Sequence, residues 1–146
     1  MIILLVEDNP GDVGLIKIAF RESKLNNRLL VARDGEEALQ FLRHEGAFTS
    51  VPRPDLILLD LNLPKKDGRE VLSEIKADES LASIPVIVLT TSEAQQDICR
   101  AYNLHANCYL TKPVEIDHFL RTVRGIEDFW FTLVRLPKPD SEFGPS

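Results

Sequence analysis

At 146 residues the chain has room for one domain with a core of ordinary size, and not comfortably for two. A formal net charge of -6 and the lack of any Lys/Arg run argue against a nucleic-acid surface, which needs a basic face to neutralise phosphates. No apolar stretch reaches the length of a membrane span, and the two cysteines, Cys99 and Cys108, read as reduced thiols of a cytoplasmic protein rather than a disulfide framework.

Short apolar runs alternate with segments of helical period. The runs are IILLV (2–6), LLVA (29–32), LILL (56–59), VIVL (86–89) and a weaker CYL (108–110). The segments between them carry apolar residues at i, i+3 and i+4. The first has Val13, Ile16 and Phe20, the second Ala38, Leu39 and Leu42, and the third Val71, Leu72 and Ile75. The fourth has Ala94, Ile98 and Ala101, and the last Ile116, Phe119, Leu120 and Val123. Asn9 is placed to cap the first helix with Pro10 at its first position, Asp34 to cap the second, and Gly46 stands where that second helix would stop. Pro85 opens the fourth strand, where a missing N–H does least harm.

The order βαβαβαβαβα predicts an α/β fold, a five-stranded parallel sheet flanked by five helices. Strands buried on both faces read as continuous apolar runs, as LILL and VIVL do. Residues 1–134 are expected to form the domain and 135–146, rich in Pro and polar residues, a loosely ordered tail whose residues 140–146 are of native or appended origin.

In an open parallel sheet a ligand site lies at the carboxyl ends of the strands. There the chain places Glu7 and Asp8, Asp60, Thr90 and Thr91, and Lys112 with Pro113. Three carboxylates close together need a counter-charge, which a hard divalent cation such as Mg2+ supplies. Asp60, ending a buried run, is then a candidate nucleophile able to take a phosphoryl group as an acyl phosphate. Lys112 and the Thr90 hydroxyl are placed to stabilise charge on its oxygens.

Glu7, Asp8, Asp60, Thr90, Lys112 and Pro113, in this order, resemble the receiver domain of two-component response regulators. Pro64 and Gly68, four and eight residues past Asp60, and Tyr109, three before Lys112, extend the likeness. Over residues 1–134 the resemblance implies a flavodoxin-like, CheY-like fold with strand order 2-1-3-4-5. It implies that Asp60 accepts a phosphoryl group from a histidine kinase. It also implies Mg2+ held by Asp8, Asp60, the backbone carbonyl of Asn62 and, through water, Glu7. Lys112 would then pair with the phosphoryl group, Thr90 and Tyr109 would act as the switch, and Pro113 would follow a cis bond. The segments 52–72, 85–92 and 107–113, and the extension 125–137, are similar to small regulators paired with bacterial phytochromes. That implies a phytochrome-type kinase as partner, meeting residues 12–18. The residue after Thr90 is usually Ala or Gly in the family; here Thr91 is expected to slow loss of the phosphoryl group.

With no effector domain following, output is expected through a partner or through self-assembly. Phe129, Trp130, Phe131, Leu133, Val134 and Leu136 exceed what one helix face buries, so a homodimer through the last helix and the FWF extension is expected, unless that cluster folds back on its own core. Taken singly, Asp60 reads as a strand end, Glu7 and Asp8 as helix-dipole acids, Thr90 and Thr91 as β-branched strand residues and Tyr109 as core packing. Two other functions fit less well. One is a binding module of the same fold that works without phosphorylation. The other is a phosphatase of the haloacid dehalogenase type, which needs an acid where Asn62 stands.

Overall fold

Successive side chains along each strand point to opposite faces of a single sheet, and this alternation builds two cores, one on each face. A computed structural model describes residues 2–22, 28–90, 108–112 and 116–128. The elements are β1 (Ile2–Val6), α1 (Pro10–Glu22), β2 (Arg28–Ala32), α2 (Gly35–Leu42), a 3-10 turn (Gly46–Phe48), β3 (Leu56–Asp60), α3 (Gly68–Ala77), β4 (Val86–Thr90), β5 (Cys108–Thr111) and α4 (Ile116–Asp128). All neighbouring strands pair in parallel, in the order β2-β1-β3-β4-β5. The strand order is therefore the expected one. Four of the five expected helices are described; the segment of Ala94, Ile98 and Ala101 lies outside the described residues.

On one face Leu4, Val6, Ile57, Leu59, Val86 and Val88 pack under α2 and α3, which contribute Ala38, Leu39, Leu42, Val71, Leu72 and Ile75. On the other, Ile3, Leu5, Leu56, Leu58, Ile87, Leu89 and Leu110 meet Val13, Ile16 and Phe20 of α1 and Phe119 of α4. Every residue of β3 and β4 is buried, which is why their sequences show no polar alternation. Each large aliphatic side chain removed from water in this way contributes about 1.5–3 kcal/mol. The Phe20 and Phe119 rings meet edge to face, with centroids 5.5 Å apart and an interplanar angle of 80°, and join α1 to α4.

The expected caps are present. Asn9 Oδ1 accepts from the Asp12 backbone N–H at 3.1 Å, and Asp34 Oδ1 from that of Glu37 at 2.8 Å. The end of α2 departs from expectation. The helix stops at Leu42, before Gly46, through a Schellman motif in which the N–H of Glu45 bonds the Gln40 carbonyl and the N–H of His44 that of Phe41. The left-handed position at φ 57° is taken by His44, not by glycine. Its ring nitrogen Nε2 lies 2.9 Å from the Val51 carbonyl, a contact that holds the unfavourable backbone in place. Gly46, also left-handed at φ 58°, instead opens the 3-10 turn. Pro85 lies just ahead of β4, its carbonyl accepting from the Ile57 N–H at 3.0 Å.

Candidate functional site

The strand alternation turns polar at the carboxyl ends, at the last residue of β3 and one residue beyond β1 and β5. Glu7 follows Ile3 and Leu5, Asp60 follows Leu56 and Leu58, and Lys112 follows Leu110, all in the parity of the face that packs on α1 and α4. The hydrogen-bond ladder continues with them. The N–H of Glu7 bonds the Ala32 carbonyl at 3.0 Å, that of Leu61 the Leu89 carbonyl at 3.0 Å, and that of Lys112 the Thr90 carbonyl at 2.7 Å. Site residues on three strands are thereby held at fixed spacing by the sheet itself.

Lys112 Nζ stands at the centre. It donates to Glu7 Oε1 at 2.5 Å, Asp12 Oδ2 at 2.9 Å and Asp60 Oδ2 at 3.1 Å. Glu7 and Asp60 are buried, with 0% and 2% exposure, a placement carboxylates tolerate only when paired. Burial pushes the Glu7 carboxyl up to about 7, and its hydrogen bond with Asp60 adds to this against the pull of Lys112. For Lys112, burial acts against the charge. The hydrogen bonds to Glu7 and Asp12 and the charges of Asp60 and Glu7 outweigh it and hold the ammonium above the ordinary lysine range.

The carboxylates at this centre also converge on one another. One carboxylate oxygen each from Glu7, Asp8 and Asp60 lie within 4.8 Å of one another, with Asp8 exposed and the other two buried. Oxygens around a Mg2+ ion at its usual 2.0–2.1 Å stand about 3–4 Å apart, so a small closure would complete such a set, and the exposed side leaves room for water. The donor set of hard oxygens fits that ion. Asn62, on the loop leaving β3, donates its backbone N–H to Asp60 Oδ1 at 3.0 Å, which brings its peptide unit to the same carboxylate.

This loop is packed tightly against the acceptor strand. A Cβ on Gly68 would collide with the Asp60 carbonyl and the Leu61 backbone, which explains a glycine at this position. Lys65 takes a left-handed φ of 65° while its Nζ lies 3.5 Å from Asp34 Oδ2 at the α2 cap. Thr90 is fully buried at the end of β4, in register with Thr111, and Tyr109 is half-buried against the α2–α3 core. Thr91, Pro113 and the cluster Phe129, Trp130 and Phe131 lie outside the described residues, as does the tail 135–146. Asp12 is the residue at this centre that reading for strand-end polar groups misses. It comes from a helix, and its only signal is its place one turn past the Asn9 cap.

The sequence profile of the response regulator receiver domain matches residues 3–124. The chain belongs to the response regulator receiver domain family. It is 50% identical over 136 residues to the response regulator Rcp1 of Synechocystis, covering 93% of this chain and 92% of that protein. Among solved structures it is similar to the phosphorylated cyanobacterial phytochrome response regulator RcpA, with 51% identity, a TM-score of 0.78 and coverage of 94% and 98% of the two chains. It is similar also to the Mn2+-bound form of Rcp1, with 50% identity, a TM-score of 0.77 and coverage of 94% and 99%. Receivers are signalling proteins, and the haloacid dehalogenase reading finds no support. No helix among the described residues is long and apolar enough to cross a membrane.

Proposed function

We propose that this receiver takes a phosphoryl group on Asp60 from the phosphohistidine of a sensor kinase of the phytochrome type. The observation that carries this reading is the buried Asp60 carboxylate, held by Lys112 on one oxygen and the Asn62 N–H on the other, beside Glu7 and Asp8. A carboxylate oxygen of Asp60 attacks phosphorus, the P–N bond to imidazole breaks, and the neutral imidazole leaves with a proton from solvent. Asp8, Asp60, the Asn62 carbonyl and, through water, Glu7 would hold Mg2+, which supplies positive charge for the transferring phosphoryl oxygens. Lys112 neutralises the same oxygens. Thr90, buried at the next strand end, is the hydroxyl assigned to the phosphorylated state, and Tyr109 the aromatic that follows it inward.

The kinase would meet α1, where Leu15 and Ile18 are the large apolar side chains left exposed, 36% and 45%, beside the site. The similarity to RcpA, a cyanobacterial phytochrome response regulator, supports a phytochrome-type donor, and a cytoplasmic setting belongs to the same reading. Output through a homodimer built on Phe129, Trp130 and Phe131 belongs to the same reading. Sedimentation of the Phe129→Ser/Trp130→Ser variant tests it, an unchanged mass counting against it.

Intact mass after incubation with a small acyl-phosphate donor tests the chemistry. The expected result is a Mg2+-dependent gain of one phosphoryl group that is absent in Asp60→Asn. No gain in the wild type under any condition would move the function to a binding module that works without phosphorylation. Transfer from a phosphorylated phytochrome-type kinase, faster than from an unrelated kinase, tests the partner.

A further inference from the structure

We propose that Asp12 is a positioning residue that competes with the incoming phosphoryl group for the Lys112 ammonium. The inference rests on the assignment of Asp60 as acceptor. A lysine ammonium has three N–H donors, and here three carboxylates stand within hydrogen-bond distance of it, at 2.5, 2.9 and 3.1 Å. The donor set is full. An incoming phosphoryl group, approaching while Asp60 is still an ionised carboxylate, brings oxygens that need one of these donors, so one carboxylate must give way.

The three are not equally easy to release. The Glu7 side chain is 0% exposed and that of Asp60 2%, whereas that of Asp12 is 37% exposed. A buried carboxylate stripped of its partner stays unsolvated, while an exposed one is taken up by water at little cost. Glu7 is also tied down at its other oxygen, which accepts from the Asn9 N–H at 3.3 Å. Asp12 is therefore the partner that exchanges. Its backbone is held to the Asn9 cap, so only the side chain needs to swing. An acid in the first turn of a helix also serves the helix dipole. Glu36, exposed in the first turn of α2, shares that role without contact to Lys112 and isolates it.

The test compares the full-length wild type with Asp12→Asn, Asp12→Ser, Asp12→Glu and Glu36→Gln. Phosphoryl incorporation from a small acyl phosphate is followed by intact mass at saturating Mg2+, with urea midpoints as a check on folding. Asp12→Asn and Asp12→Ser are expected to be phosphorylated about two- to five-fold faster at low salt, the range a partly exposed ion pair can supply. The advantage should vanish near 1 M salt, where the screening length is about 3 Å. Asp12→Glu should return to the wild-type rate, and Glu36→Gln should match wild type. Rates at or below wild type in folded Asp12→Asn and Asp12→Ser would overturn the proposal, as would the same acceleration in Glu36→Gln. If the wild type takes up no phosphoryl group, the acceptor assignment fails and this proposal falls with it.

Discussion

Lys112 Nζ and Glu7 Oε1 lie 2.5 Å apart, joining residues 105 positions distant in the chain. The pair closes the sheet electrostatically, since Glu7 on β1's end and Lys112 on β5's end are separated by β3 and β4 in the strand order. Asp60, between them on β3, shares the same ammonium.

Removing that ammonium should therefore be costly. Lys112→Met leaves Glu7 and Asp60 buried without their cation. Breaking a buried pair from one side destabilises by about 3–5 kcal/mol. Urea unfolding in EDTA should show this loss, and added Mg2+ should restore part of it, because the carboxylates of Glu7, Asp8 and Asp60 regain a counter-charge. A midpoint unchanged in EDTA would mean that the pair carries no net stability.

The raised Glu7 carboxyl makes the metal-free protein pH-sensitive. Its value moves from 4.5 to about 7 on folding. Between these values the folded chain binds more protons at Glu7 than the unfolded chain does. Stability then falls as pH rises through this window, and this contribution is flat below it. Lys112, held above its ordinary value of 10.5, contributes stability that is present below 10.5 and lost only at more alkaline pH. In EDTA the urea midpoint should be higher at pH 5.5 than at pH 8 by this contribution, and Glu7→Gln should flatten the slope. An unchanged slope in Glu7→Gln would remove Glu7 as its source.

Gly68→Ala should damage the site without touching a polar group. The added methyl meets the Asp60 carbonyl and the Leu61 backbone, neither of which can rotate away. Overpacking of this kind costs about 1–3 kcal/mol. Because the displaced backbone is that of Asp60 itself, phosphoryl uptake should slow as well, which intact mass against time would show. Full-rate uptake in a destabilised variant would confine the role of Gly68 to packing.

The contact of Phe20 with Phe119 ties α1, which carries Asp12, to α4. Phe119→Ala should cost about 3–5 kcal/mol, as for other buried aromatics. A double-mutant cycle with Phe20→Leu and Phe119→Leu should return a coupling of about 0.5–1.5 kcal/mol. A coupling of zero would mean that the two rings contribute only by burial.

Much of this architecture is legible in the one-dimensional pattern, and particular residues show why. LILL and VIVL are uniformly apolar because β3 and β4 have helices on both faces, and Val71, Leu72 and Ile75 recur at helical spacing because α3 shows one side to that core. Asn9 and Asp34 announce helix starts because capping is a bond across three residues. The stop of α2 was not legible: glycine is the residue that takes a left-handed turn most cheaply, so the pattern pointed to Gly46. His44 takes that conformation because its ring reaches the Val51 carbonyl, a contact that no propensity encodes.

The order of strands and helices, their buried faces and the acids at the strand ends were determined by the sequence alone, since periodicity and capping act within a few residues. Only the tertiary structure decided how those acids share one lysine. Parallel register brought Glu7, Asp60 and Lys112 to one edge, and the docking of α1 on the same face added Asp12. Coulomb energy depends on separation in space, and over 105 residues of chain that separation is set by packing.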